Sequence, residues 1–272
     1  MRLILQHLNF IQETAEATCS HFYEGPTVNA VQGFCISLLE RLKHGTLTLT
    51  MLFEAMNHER AHEFSAGILT RALLLDTLIG MNLLLVLKKA ESEEVSPEER
   101  EARILQFCNI MLADGLGQTL TYLDSAREMG FISDGQLAES YTNFAHNHTP
   151  FFNNYPDNGS RPVLKYPKAD GPGKLFKNLA QHPELQNVAK LYDAYLYFSK
   201  YDHFGIMSSE IIREPWGSKM STYLNVVEAF VADLTFLHII LAGQSIGDAF
   251  IAQQSGLSNK YLLEQVINRL GA

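Results

Sequence analysis

The chain has 272 residues, of which 46% are hydrophobic and 19% are charged, and its formal net charge is −9 at pH 7. This length and composition are typical of a globular protein with a sizeable core, and they exclude an intrinsically disordered chain. The acidic balance argues against broad electrostatic binding to nucleic acid, because neutralising phosphates requires clustered Lys and Arg.

Helical periodicity dominates the chain from its start. The helices predicted from this pattern cover about 2–22, 27–44, 57–90, 97–129, 134–146, 183–201, 219–255 and 259–269. Residues 45–50 are interpreted as a short extended connector, or alternatively a Thr in this segment caps a short helix over 51–56. The segment 57–90 is one long helix or two helices that meet near Gly67. Ser96 and Ser133 mark helix starts, because each is followed three residues later by Glu or Gln.

One segment, residues 148–174, interrupts the helical pattern because it is rich in Pro, Gly, Asn and aromatic residues. A loop of this length inside a domain is uncommon and tends to be functional. No alternation of strands and helices is visible. We therefore predict an all-α fold, a multi-helix bundle with one long Pro/Gly/aromatic loop at 148–174. The chain is interpreted as a single domain over 1–272, or as helical halves 1–145 and 175–272 joined by the 146–174 loop.

Two apolar segments, residues 68–87 and 231–252, are long enough to consider as membrane spans. The first contains Arg71 and Asp76, and the second contains Asp233, all of which are costly in hydrocarbon. We interpret both segments as buried helices of a soluble protein without a membrane partner. The N-terminus lacks a signal-peptide core, and the three cysteines form no C-x-x-C pair, so we expect a cytoplasmic location.

The sequence around residue 60 contains H-E-x-x-H, the signature of zinc metalloproteases. His58 and His62 lie one helical turn apart and Glu59 is placed as a general base. The extended signature requires a third His where this chain has Ile68, and Asp76 lies about 21 Å further along a continuous helix. We therefore interpret the motif as a polar helix start and expect no cofactor. Zinc bound by His58, Glu59 and His62 in a metal-dependent hydrolase is the alternative, and a di-iron site lacks its second E-x-x-H.

The second candidate site is the pair of charged residues Arg71 and Asp76 inside the apolar helix. A charge in such a helix needs a partner or must face a cavity. A buried ion pair, or a hydrogen bond to loop carbonyls, is one interpretation. The functional interpretation is an anchor for an anionic ligand, or a catalytic cation, in a cleft of the bundle.

The third candidate lies where the helix over 183–201 ends. Ser199, Tyr201, Asp202 and His203 form a dense polar set that can hydrogen-bond with Arg71. Alternatively, His203 only caps the helix, where the helix dipole favours its charged form.

These two segments resemble a group of uncharacterised bacterial all-helical proteins. In that group a helix of the form Ala-x-x-Leu-x-Arg-x-Leu-x-(Glu/Asp) precedes a helix that ends Tyr-x-x-x-Ser-x-x-x-His. The matching residues here are Ala66, Leu69, Arg71, Leu73 and, one place late, Asp76, then Tyr195, Ser199 and His203. The group looks distantly similar to HEPN-type bundles, some of which are RNases of defence systems. The corresponding Arg-x(4–6)-His spacing occurs here only as Arg2 and His7.

The long loop combines basic and aromatic residues, a mixture that can stack on and neutralise single-stranded nucleic acid. The residues concerned are Arg161, Lys165, Lys168, Lys174, Phe151, Phe152, Tyr155 and Tyr166. The alternative is that the aromatic side chains pack the loop onto the protein. Nucleic acid is therefore expected as a partner only through the 148–174 loop.

Together these patterns predict a ligand-binding or regulatory bundle whose site is lined by Arg71, Asp76 and His203 under the 148–174 loop. The expected partner is a small ligand or a second copy of the chain. A metal-dependent hydrolase that uses residues 58–62 and a HEPN-like RNase are the enzymatic alternatives.

Overall fold

The computed structural model describes residues 1–25, 28–56, 62–153, 159–185, 188, 190–201, 210–211 and 213–267. Across these ranges the backbone forms nine α-helices and no β-strand, so the predicted all-α multi-helix architecture is confirmed. The helices are α1 (Arg2–Glu24), α2 (Ala30–Met56), α3 (Glu63–Ser92), α4 (Pro97–Glu128), α5 (Asp134–Asn147), α6 (Pro172–Ala180), α7 (Leu191–Ser199), α8 (Trp216–Gln244) and α9 (Ala249–Leu262).

The chain divides into two compact units. Unit 1 comprises Met1–Lys89 and Pro172–Ala272, and unit 2 comprises Ala90–Gly171. Unit 1 therefore joins the beginning and the end of the chain, which is a different division from the halves 1–145 and 175–272. Residues 148–171 of the long loop belong to unit 2 together with α4 and α5, whereas residues 172–174 begin α6 in unit 1.

Helix α8 is central to unit 1, where it packs against α1, α2, α7 and α9. Apolar residues surround most of its circumference, as expected for a helix buried in a core. Helices α3 and α8 are each long and apolar enough to span a membrane by length and composition. In each of them, 67% of the most apolar window is buried within the protein.

Helix α2 is continuous through the Gly-Thr-rich segment, so the extended connector predicted over 45–50 is wrong. Three hydroxyls donate to carbonyl oxygens one turn earlier: Thr46 to Leu42 at 2.8 Å, Thr48 to His44 at 2.9 Å and Thr50 to Thr46 at 3.0 Å. This bonding satisfies the hydroxyls inside a helix, although Thr itself favours extended backbone. Gly45 lies so close to the Leu73 side chain of α3 that a Cβ would overlap it.

The segment 219–255 was predicted as one helix, but α8 ends at Gln244 and α9 begins at Ala249. Gly247 adopts a φ of 90°, a left-handed conformation that other residues rarely take. Asp248 then caps α9 by accepting hydrogen bonds from the amides of Phe250 at 3.0 Å and Ile251 at 3.1 Å. The Gly-Asp pair is therefore a turn and a cap, and it separates α8 from α9 without a proline.

Both serine signatures are confirmed as helix N-caps. The Ser96 hydroxyl accepts from the Glu99 amide at 3.2 Å. Ser133 and Gln136 form a reciprocal capping box at 3.3 and 2.8 Å. These local motifs fix the starts of α4 and α5 through contacts within four residues, which is why the sequence predicts them well.

The long loop in unit 2 is irregular apart from a short 3-10 turn, Thr149–Phe151, and an antiparallel bridge between Phe152 and Leu164. The Asn153 amide donates to the Val163 carbonyl at 2.9 Å. Phe152 is 5% exposed and packs in an apolar cluster with Leu120 and Tyr141. The described aromatic residues of this loop therefore anchor it to α4 and α5.

Candidate functional site

A surface groove with a volume of about 530 Å³ runs between α2 and α3 in unit 1. Helix α2 contributes a mainly polar wall of Ser37, Glu40, Arg41, His44 and Thr48, together with Gly45. Helix α3 contributes Leu69, Ala72 and Leu73, with Asp76 at the end of this row. The groove thus combines an apolar wall with a few convergent polar groups, an arrangement that is common in small-molecule sites.

Within this groove, Asp76 pairs with Arg41, a residue that the sequence patterns did not single out. The Arg41 Nε donates to Asp76 Oδ2 at 2.9 Å. The two side chains differ in exposure, at 61% for Arg41 and 10% for Asp76. Burial raises the pKa of Asp76, and the hydrogen bond and positive charge of Arg41 oppose that rise. The buried Asp76 carboxylate therefore orients Arg41 through its Nε atom, while most of the Arg41 side chain is exposed to solvent.

Asp233 on α8 is a buried acid whose pKa is affected by the charge of Asp76. Asp233 is 2% exposed, and its Oδ1 atom has no hydrogen-bond partner among the described residues. Gly80, one turn after Asp76 on α3, approaches this oxygen so closely that a Cβ would overlap it. Burial, and then the charge of Asp76, raise the pKa of Asp233 well above its ordinary value. The carboxyl of Asp233 consequently remains protonated at pH values where a solvent-exposed Asp is ionised.

Arg71 lies on a different side of α3 and contacts α7. Its Nη2 atom donates to Tyr195 Oη at 3.3 Å, and its Cζ atom lies 5.2 Å from the centroid of the Tyr195 ring. This contact brings together the two segments that carry the family resemblance. Arg71 and Asp76 are five residues apart, a rotation of about 140° around a helix, which is why their partners lie on α7 and α2 respectively.

The polar set after α7 is only partly described. Ser199 Oγ donates to the Leu196 carbonyl at 2.7 Å, so its hydroxyl hydrogen is used within α7. Tyr201 Oη donates to Glu63 Oε1 at 2.9 Å. Asp202 and His203, which complete the predicted site, lie outside the described residues.

Tyr201 belongs to a buried polar cluster that the sequence patterns did not reveal. Lys219 in the first turns of α8 donates to Glu63 at the start of α3, and these residues are 1% and 2% exposed. Burial and the nearby Tyr223 and Glu63 raise the pKa of Tyr201 far above its usual range. Gly67, one turn after Glu63, leaves space for the Tyr201 ring, which a Cβ would overlap. The cluster connects α3, α8 and Tyr201, which lies two residues after the end of α7.

The H-E-x-x-H motif lies mostly outside the described residues, since these exclude His58 and Glu59. His62 is partly exposed and immediately precedes Glu63, the first residue of α3. Among the described residues no group of three or more His, Cys, Asp or Glu side chains is arranged to hold a metal ion. Zinc bound by His58, Glu59 and His62 therefore stays a prediction.

The residues with HEPN-like spacing lie at the N-terminal end of α1. His7 is fully buried, and its Nδ1 atom is 3.0 Å from Tyr261 Oη of α9. Arg2 is exposed and lines a separate surface groove. The imidazole is consequently part of the contact between α1 and α9.

Two of the described basic residues of the long loop, Arg161 and Lys165, contact other side chains. Arg161 Nε donates to Asp124 Oδ2 of α4 at 2.9 Å. Lys165 Nζ lies 6.0 Å from the centroid of Tyr166, whose hydroxyl accepts a hydrogen bond from Asn109 at 3.1 Å. Lys168 lines a groove of about 390 Å³ against α4. Lys174 belongs to α6 in unit 1, and Tyr155 lies outside the described residues.

Comparisons of the sequence with protein-family models and with curated proteins, and of the fold with solved structures, gave no match. The candidate function therefore depends on the geometry of the side chains.

Proposed function

We propose that this chain is a ligand-binding or regulatory helical bundle and that its binding site is the groove between α2 and α3. The observation that carries the proposal is the Arg41–Asp76 pair, in which a buried acid orients a largely exposed arginine along an apolar wall. Asp76 was part of the site predicted from the sequence. In the proposed site the arginine is Arg41, whereas the sequence predicted Arg71.

Energetic considerations support a binding role for this pair. Burying a carboxylate in a helix costs several kcal/mol unless a partner compensates, and an exposed ion pair contributes only about 1 kcal/mol or less. An apolar residue at position 76 would therefore serve stability at least as well as Asp. An oriented guanidinium beside Leu69, Ala72 and Leu73 is suited to recognising a small polar ligand with an apolar body.

Filling the groove tests this proposal. Anilinonaphthalene sulfonate, which combines aromatic rings with an anionic group, should bind the native protein with a saturable rise in fluorescence. We expect Ala72→Trp, an exposed position on the α3 wall, to weaken that binding by about tenfold or more, because the indole occupies the groove.

The matched control is Ala102→Trp, which adds the same side chain at an exposed position of α4 in unit 2. This variant should bind the dye as the native protein does. Thermal unfolding followed by circular dichroism should show that both variants are folded. Equal dye affinity in a folded Ala72→Trp variant would refute the groove as the site.

The metal-dependent hydrolase makes a separate prediction. We expect purified protein to contain far less than one equivalent of zinc, because the sequence supplies no third ligand at the required spacing. Metal content can be measured by inductively coupled plasma mass spectrometry, with His62→Ala as the comparison. Stoichiometric zinc that disappears in the His62→Ala variant would instead favour the hydrolase, and degradation of RNA by the native protein would favour the RNase.

A further inference from the structure

Arg41, which lines the groove, has hydrogen-bond donors that Asp76 does not use. A guanidinium carries five N–H donors, and Asp76 accepts from the Nε–H of Arg41. No other protein acceptor bonds this guanidinium within the part of the chain that the structure describes. The two terminal nitrogens therefore present the edge that binds a carboxylate through two parallel hydrogen bonds.

Apart from the imidazole of His44, the rest of the α2 wall presents mainly acceptors. Ser37 Oγ donates to the Gly33 carbonyl at 2.9 Å, and Thr48 Oγ1 donates to the His44 carbonyl at 2.9 Å. With their hydrogens used in this way, both hydroxyls offer only lone pairs to a ligand. Glu40, between these two positions, adds a carboxylate. An ammonium group, with three N–H donors and no acceptor, matches this surface.

The charges in the groove favour a ligand that carries both signs. Arg41 pairs with Asp76. Glu40 adds a carboxylate that also interacts with the Tyr23 hydroxyl and the charge of Lys43. A ligand with only a carboxylate would be repelled by Glu40, and a ligand with only an ammonium group would be repelled by Arg41. A ligand with both groups places each charge beside its opposite.

The α3 wall determines the remaining part of the ligand. Leu69, Ala72 and Leu73 form an apolar surface, and the close approach of Leu73 to Gly45 continues it towards α2. An aliphatic side chain of a few carbons buries its surface here, and each buried methylene contributes about 0.8 kcal/mol.

From these contacts we infer that the groove binds a small zwitterion of the α-amino acid class with an aliphatic side chain. Its carboxylate pairs with Arg41, its ammonium group with Glu40 and the hydroxyl oxygens of Ser37 and Thr48, and its side chain with the α3 wall. This inference rests on the proposed function, since it names the ligand class of the same groove.

Three probes that share an isobutyl group test the inference by isothermal titration calorimetry at neutral pH. L-Leucine carries both charged groups, isocaproate carries only the carboxylate and isoamylamine carries only the ammonium group. We expect leucine to bind about tenfold or more tightly than either analogue, because each charged hydrogen-bonded group contributes about 1.5 kcal/mol or more.

Two variants assign the charges. Arg41→Ala should weaken leucine and isocaproate binding by about tenfold each and should strengthen isoamylamine binding, because the charge that repels the ammonium group is removed. Glu40→Gln should weaken leucine and isoamylamine binding and should strengthen isocaproate binding for the corresponding reason. Arg41→Lys keeps the charge and the partner of Asp76 while removing the planar edge, so it should give an intermediate loss even if Arg41→Ala is unstable. Arg127→Ala, an exposed arginine paired with Asp134 in unit 2, is the control and should change no affinity.

The possible outcomes distinguish a failure of the inferred ligand class from a failure of the proposed binding function. If the dye binds in a manner sensitive to Ala72→Trp but leucine neither binds nor displaces it, the zwitterion is refuted and the proposed function stands. If isocaproate or isoamylamine binds as tightly as leucine, the two-charge match is likewise refuted. If Ala72→Trp leaves dye binding unchanged, the groove itself is refuted as the site.

Discussion

Replacing Lys219 by Met is expected to lower the free energy of unfolding by about 3–5 kcal/mol, because the Glu63 carboxylate would stay buried without its cation. The side chains of Lys219 and Glu63 are 0% and 3% exposed, so water cannot replace the lost partner. Tyr201 Oη, which donates to the same Glu63 oxygen, retains only part of the compensation. Urea unfolding followed by circular dichroism at a fixed pH measures this loss.

Two comparison variants make the result specific. Lys260→Met removes a lysine whose side chain is 71% exposed and lies 4.0 Å from Glu264, so it should change stability by no more than about 0.5 kcal/mol. Adding Glu63→Gln to Lys219→Met should recover a substantial part of the loss, because the buried charge is then absent. A loss in Lys219→Met as small as that in Lys260→Met would show that the pair contributes nothing to stability.

The second large effect is expected at Asp233. Replacing it with Asn, which has the same shape and no charge, should stabilise the protein increasingly as the pH rises. Folding raises the pKa of Asp233, so the native state keeps a proton that the unfolded chain has released. The stability contributed by this group is complete below the unfolded pKa and is lost as the pH rises towards the folded pKa. Between these two pKa values the free energy of unfolding falls by about 1.4 kcal/mol per pH unit. The Asn variant has no ionisable group at this position and does not show this fall.

Urea unfolding of the native protein and of Asp233→Asn, carried out from about pH 5 to pH 8, measures the difference directly. Asp76→Asn is the informative comparison, because Arg41 opposes the effect of burial on Asp76 and should make its pH dependence weaker. Asp76→Asn also removes the negative charge that acts on Asp233, so it should reduce the pH dependence that remains. If the free energies of unfolding of the native protein and of Asp233→Asn differ by a constant amount over this range, the prediction that native Asp233 is protonated is contradicted.

Features that depend on nearby residues were predicted well from the sequence. The caps at Ser96 and Ser133 were predicted because their partners lie three residues away. The continuity of α2 was missed because propensity favours extended backbone for Thr, whereas hydroxyl bonding within the helix and packing of Gly45 on Leu73 override it. The end of α8 was missed because the apolar pattern continues beyond the turn at Gly247.

The candidate site was predicted in part, for a related reason. An acid inside an apolar helix is visible in the sequence, so Asp76 was identified. Its partner Arg41 lies 35 residues earlier, in a polar stretch of α2 where an arginine does not differ from its neighbours. The Glu63–Lys219 pair spans 156 residues, and neither member stands out from its neighbours in the sequence. Contacts of this kind depend on how the helices pack, which a single sequence does not specify.

The three glycine contacts along α3 determine how the groove can respond to a ligand. Gly67 faces the Tyr201 ring, Gly80 faces Asp233, and Leu73 between them faces Gly45. Turning α3 by a single residue, about 100°, would bring side chains into spaces that only glycine leaves open. The helix therefore has one permitted rotational setting. Adjustment to a bound molecule is therefore expected from exposed side chains of the groove, such as Arg41, and not from rotation of α3.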